Sequence, residues 1–210
     1  MATTLENLKW RAAIKNFDHT KKLTEQQLDE LLTAVQLSPS SAGLQPYRIV
    51  VVEDAETRKK LREAGYNQAQ ITDASHLVVF AAEKEVNNNL VKKYIDLIAA
   101  TRQVDREQLA GFEQAILGSI NSKTTEDRIT WAQKQTYIAV GVLSAAAADM
   151  QIDTCTMEGF NPAAFNEILG LDEKGLTASV IVAVGFRADA DVYSKLAKVR
   201  KPAEELFIHV

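Results

Sequence analysis

The chain has 210 residues, of which 46% are hydrophobic and 25% charged, with a formal net charge of −4. That length buries a sizeable core in one or two domains, and the mild acidity leaves no basic stripe of the kind nucleic-acid binding requires. The single cysteine, Cys155, excludes an intramolecular disulfide and fits a reducing, cytoplasmic setting.

The start, Met1 to Glu6, lacks the basic and apolar regions of a signal peptide. Leu5, Leu8, Ala12 and Ala13 predict a first amphipathic helix running to about Lys15. Thr24 with Gln27 forms a capping-box start, and Leu28, Leu31, Leu32 and Val35 recur at helical spacing until Pro39 forces a stop. A loop follows from Ser38 to Pro46. Arg48 to Glu53 reads as a buried strand, and Asp54 caps a helix from Ala55 to Ala64. A short helical piece around Asn67 to Thr72 leads into a strand from Leu77 to Ala82.

From Val86 to about Ser122 the pattern is helical and mostly polar, which predicts a mobile or peripheral region. Thr125 to Met150 predicts a long helix. Its apolar second half spans the 14 residues from Tyr137 to Met150, short of the roughly 20 that cross a bilayer. Such a helix is buried centrally or between subunits. Asp153 to Met157 reads as a short strand. Asn161 and Pro162 start a helix that Gly170 stops, and Leu176 to Phe186 is the last strong strand. The tail from Lys195 to Val210 is expected to be extended. No repeat or linker divides the chain, so one α+β domain over residues 1–210 is expected, with helices around a few core strands.

There is no glycine-rich dinucleotide fingerprint and no phosphate loop. His19, His76 and His209 show no ligand spacing with one another or with Cys155, so no metal site is expected. Ser40 and Ser41 lack a marked base partner, which argues against a serine hydrolase. Two basic clusters have open readings. Arg11 and Lys15, four apart on the first helix, and Lys198 and Arg200, two apart in an extended segment, are either solvated charges or a phosphate clamp built from both chain ends. Gly159, after Met157 and Glu158, either makes a turn or lets the backbone approach a flat ligand. Asn67 and Gln70 carry groups able to read the edge of a heterocycle, or are polar loop residues.

Taken in order, six segments resemble the nitroreductase family, in particular its oxygen-insensitive NAD(P)H nitroreductases. They are Arg11 to Asp18, Leu37 to Tyr47, Asn67 with Asp73 to Val79, Trp131 to Tyr137, Glu158 to Phe160, and Lys198 to Pro202. The resemblance implies an α+β fold with a central mixed sheet flanked by helices, in an intertwined homodimer with FMN at the interface. It implies that Arg11, Lys198 and Arg200 hold the FMN phosphate, with Ala12 and Ala13 giving backbone contacts. Lys15 would lie near flavin N1 and O2, Asn67 and Gln70 at the pyrimidine edge, and the amides of Glu158 and Gly159 toward N5 and O4. Pro39, Ser40 and Ser41 would approach from the partner chain, and Tyr66 would sit at the substrate entrance.

The chain departs from its relatives at Ala12 and Ala13, at Gly43 where a polar residue is usual, and at Gln70 where lysine is common. Phe112, Ile116 and Leu117 are all candidates for the aromatic or apolar wall of the substrate channel, with Phe112 first. The implied activity is ping-pong hydride transfer from NADH or NADPH to nitroaromatics, quinones or similar small electrophiles. The rival readings are a flavin reductase with a pteridine, enone or halogenated acceptor, and an FMN-binding module without turnover.

Overall fold

The computed structural model describes residues 3–210. Its centre is a four-stranded sheet of order β1-β2-β4-β3, made by β1 (Tyr47–Val52), β2 (His76–Glu83), β3 (Asp153–Met157) and β4 (Leu176–Gly185). All three pairings are antiparallel. Parallel pairing enters only at an isolated bridge between Ala13 and Thr154, so the mixed sheet implied above is antiparallel in its four strands.

The two faces of the sheet feed two cores, because side chains alternate along each strand. Leu77, Val79, Ala81, Cys155, Ile181 and Ala183 pack against Ile14, Leu61, Ile71 and Phe165. The opposite face, with Val78, Phe80, Val180 and Val182, meets Leu31 and Val35 of α2 (Glu25–Gln36) and Ala139, Leu143 and Ala147 of α7 (Thr125–Asp149). β1 differs from expectation. It is largely half-buried, because as an edge strand it has a neighbour on one side only.

Local chemistry sets most helix limits. Thr24 and Gln27 form the capping box of α2, and Asp54 caps α3 (Ala55–Ala64) through the Thr57 amide. Asn161 caps α8 (Pro162–Leu169), which Gly170 ends in the left-handed conformation at φ 59°. Between them lies the short α4 (Gln70–Asp73).

Three expectations are corrected. The first helix, α1 (Thr4–Trp10), ends at Trp10 and not at Lys15: Arg11 is extended, and the Ile14 amide donates to the Thr154 carbonyl. Sheet-like pairing with β3 thus outcompetes the helical propensity of Ala12 and Ala13. Residues 86–122 are peripheral but packed. α5 (Asn88–Arg102) and α6 (Ala110–Asn121) share a third core of Val91, Ile95, Ile98, Ile116 and Ile120, closed by Leu44 and Ala132. The tail is not uniformly extended, since Pro202 caps a short α9 (Ala203–Leu206). Among the described residues no helix is long and apolar enough to cross a membrane.

Candidate functional site

The two ends of the described chain meet. Arg11, Ala12 and Ala13 line a cavity of about 260 Å³ together with Tyr193, Leu196, Ala197, Lys198 and Arg200. All five residues assigned above to the phosphate end therefore share one wall. Arg11 and Lys15 do not lie on a helical face, as expected above, but on an extended segment bridged to Thr154 through Ala13, and of the two Arg11 lines the cavity.

The electrostatics of this cavity are one-sided. Among the described residues, neither Arg11, Lys198 nor Arg200 pairs with a carboxylate. Arg11 Nε is buried without any hydrogen-bond partner. The Lys198 ammonium, which donates to the Lys9 carbonyl, is pushed down from its usual value by burial and by Arg11, Arg200 and Arg187 nearby. Unpaired buried donors and mutually repelling cations are costly by themselves, and an anion relieves both costs.

The floor next to this cavity is rigid. The Asp191 carboxylate accepts from the amides of Lys15 and Asn16, each at 3.1 Å, and from the Ser194 amide at 2.8 Å, so it ties the first extended segment to the tail. These amides hold its carboxyl below the ordinary carboxylate range although burial opposes them. Arg187 grips the buried Asp153 at the start of β3 and stacks over Trp10 at 4.3 Å. Lys15 Nζ then reaches Cys155 Sγ at 3.7 Å. Burial pushes the Cys155 thiol up; Lys15 and Gln70 beside it act the other way.

A second part of the site is a pair of turns. Tyr66 and Asn67 adopt left-handed backbone, at φ 55° and 58°, so Asn67 precedes the helical piece expected to carry it, while the buried Gln70 begins α4. The Asn67 amide bonds back to the Arg62 carbonyl, and that closure of α3 forces the unusual backbone. Facing it, Glu158 and Gly159 follow the end of β3. A Cβ on Gly159 would lie 3.6 Å from Gln68 Nε2 and 4.0 Å from Tyr66, so the two turns touch. Tyr66 is largely exposed at this junction. The Tyr137 hydroxyl of α7 donates to Glu158 Oε1 at 2.5 Å.

The remaining candidates lie elsewhere in the chain. Pro39, Ser40 and Ser41 sit before a tight turn in which Ala42, Gly43 and Gln45 all have positive φ. The Ser41 amide donates to Gln135 of α7 at 2.8 Å. Gly43 is required there, because a Cβ would fall 2.2 Å from the Tyr94 hydroxyl. Phe112 is exposed on α6, while Ile116 is buried in the third core. Neither group lines the cationic cavity. Sequence reasoning missed Tyr193 and Leu196, whose tail segment has no period, and Gln68, which nothing in the pattern separates from an ordinary loop glutamine.

Comparison with known proteins places the chain in a family. The nitroreductase family model matches residues 8–186. The oxygen-insensitive NAD(P)H nitroreductase of Salmonella typhimurium is 30% identical over 208 residues, covering 95% of this chain and 96% of its own. A protein from Staphylococcus epidermidis assigned as an NAD(P)H:FMN oxidoreductase superposes with a TM-score of 0.88 at 22% identity, covering 100% of this chain and 97% of its own. A protein from Exiguobacterium sibiricum, assigned as a nitroreductase and solved in complex with FMN, gives 0.85 at 18% identity, with coverage of 100% and 98%.

Proposed function

The chain belongs to the nitroreductase family, and from that premise we propose that it is an NAD(P)H-dependent flavin oxidoreductase whose cofactor, FMN, is held by the residues of the cationic cavity and the paired turns, in one domain over residues 1–210. The observation that carries the assignment is the meeting of Arg11, Lys198 and Arg200 around one cavity with no carboxylate among them and with Arg11 Nε unpartnered. A phosphomonoester fits that donor set in charge and in hydrogen-bonding capacity. Asn67 and Gln70 supply amide groups for the pyrimidine edge, and Gly159 leaves room for a flat ring to approach the backbone.

Bound there, FMN would supply two-electron redox chemistry between NADH or NADPH and an electrophilic acceptor, and one shared place for both would make the kinetics ping-pong. The protein's own residues orient and polarise. Lys15 keeps a positive charge beside the predicted N1 and O2 edge, where negative charge develops on reduction. No side chain needs to donate or accept a proton during hydride transfer. Nitroaromatics and quinones are the proposed acceptors, with the exposed Tyr66 proposed at the entrance and Phe112, away from the cavity in its own chain, proposed to line the substrate channel.

The same reading includes a homodimer. β1 is an open edge strand, and a groove of about 670 Å³ runs between it and α2. Leu37 is 78% exposed, Ile138 of α7 is 42% exposed, and Ile208 in the tail is 88% exposed. Uncovered strand edges and apolar faces of this kind call for a partner chain. Pro39, Ser40 and Ser41, which lie away from the cationic cavity in their own chain, are proposed to complete the partner's site.

The test is direct. The purified protein should take up FMN and bleach anaerobically on addition of NADH or NADPH, and Arg11→Ala with Arg200→Ala should weaken FMN binding by roughly a hundredfold for two charge-assisted contacts. A protein that takes up no FMN overturns the reading, and persistent yellow colour leaves a binding module in place of an enzyme.

A further inference from the structure

Gln68 joins the two turns of the site through its side chain. Its side-chain amide donates to the Gly159 carbonyl at 2.6 Å and to its own turn at the Gly65 carbonyl at 3.0 Å. A single NH₂ group thus spans two segments far apart in sequence. It uses both of its N–H donors on carbonyl oxygens.

The turn it grips has three further contacts on either side of Gly159. The Phe160 amide closes onto the Glu158 carbonyl, and the Asn161 amide reaches the Ala64 carbonyl, both at 2.9 Å. Tyr137 holds the Glu158 carboxylate. Phe160 is buried and tilts against Phe165 at 4.6 Å. Gly159 has no side chain to anchor it, so its backbone angles rest on the contacts of its two flanking peptides, the Phe160 amide to the Glu158 carbonyl and the Gly159 carbonyl to Gln68. Its amide meets no acceptor among the described residues.

We infer that Gln68 is a positioning residue: by gripping the Gly159 carbonyl it fixes the 159–160 peptide, whose Phe160 amide holds the Glu158 carbonyl of the peptide carrying the Gly159 amide, and so it aims that open amide into the flavin site. This rests on the proposed function, in which that amide faces the flavin N5 and O4 edge. The side chain touches no reacting atom. It transmits order from the Asn67 turn to the Gly159 turn, so the two halves that read the ring share one rigid frame. Preorganised amide donors help only when their direction is fixed before reaction, and small misplacements are expensive.

Gln68→Glu keeps size and shape but replaces the donor with an acceptor facing two carbonyls, whereas Gln68→Lys keeps a donor. Hydrogen exchange of the backbone over residues 158–161, measured without reaction, should be several-fold faster in Gln68→Glu than in the wild type and near wild type in Gln68→Lys. In the FMN-loaded protein, anaerobic flavin reduction at saturating NADH should slow roughly tenfold in Gln68→Glu, with the NADH half-saturation unchanged. Gln68→Ala gives the same readouts if the carboxylate impairs folding. Wild-type exchange and wild-type reduction in both the Glu and Ala variants overturn the inference. A wild-type protein that binds no FMN or is not bleached overturns the proposed function instead, and the exchange measurement still decides whether Gln68 orders the turn.

Discussion

The Lys15 ammonium rests 3.7 Å from the Cys155 sulfur, on the side chain of a buried thiol whose ionisation burial disfavours. A neutral thiol leaves the positive charge of Lys15 uncompensated from below. That charge is free to act on whatever occupies the site above it. Lys15→Ala should therefore lower the two-electron midpoint potential of bound FMN, by on the order of 30 mV for about 1.4 kcal/mol of lost stabilisation. Cys155→Val, which removes the sulfur contact and leaves the charge, should shift it less. A dye-coupled titration measures both, and an unchanged midpoint in Lys15→Ala removes the electrostatic role.

Arg58 holds the segment that follows the Asn67 turn. Its buried guanidinium donates to the carbonyls of Ile71, Ala74 and Ser75 at 2.8, 2.7 and 2.9 Å, on the segment linking α4 to β2. Arg58→Met leaves three carbonyls without that donor. It should cost about 3–5 kcal/mol in urea denaturation, the range for breaking a buried charge-assisted network. FMN affinity should fall along with stability. A loss below about 1 kcal/mol would mean that water replaces the guanidinium freely.

Where local chemistry decides, the sequence is readable. Thr24 and Gln27 for α2, and Asn161, Pro162 and Gly170 for α8, announce helix limits that the fold adopts. The end of α1 is not readable in this way, because Ala12 and Ala13 favour helix and only the distant Thr154 pulls them into strand-like pairing. The 86–122 region is polar in composition, yet Val91, Ile95 and Ile98 recur at helical spacing and bury one face. For the site, ordered family motifs propose residues, but not their contacts. That Arg11, Lys198 and Arg200 share a cavity is a tertiary fact, and the Gln68 contact depends on two turns whose meeting no periodicity encodes.

Tyr137 gives an alkaline signature. Burial first, and then its bond to the Glu158 carboxylate, push the phenol from 10.0 up to about 12. A group whose folded value is raised contributes stability that is fully present below the unfolded value and is lost as pH rises toward the folded one. Between pH 10 and about 12 the wild type should lose stability relative to Tyr137→Phe, with the two curves parallel below pH 10. Thermal melts across that window decide it, and parallel curves throughout would show that neither burial nor the bond to Glu158 raises the phenol in solution.

His76 governs the opposite limb. The Ser75 hydroxyl accepts the Leu23 amide at 2.8 Å and so has its proton to offer to His76 Nδ1 at 3.0 Å. This hydrogen-bond pattern assigns the imidazole proton to Nε2, which faces Glu53 Oε1 at 3.0 Å. Burial is the main influence and lowers the histidine below its usual 6.5, with Arg58 and Lys22 acting in the same direction and Glu53 against. With the folded value depressed, the unfolded chain binds more protons as the solution is acidified. The contribution of neutral His76 is thus complete above pH 6.5 and is lost as pH falls through the lower folded value. Protonation would also set an N–H against the Ser75 hydroxyl proton and strain the join between α2 and β2. His76→Gln should be less stable than the wild type at pH 8, and the gap should narrow on acidification. Urea midpoints from pH 8 down to pH 5 measure it, and a gap that widens as pH falls would mean that Glu53, not burial, controls the ring.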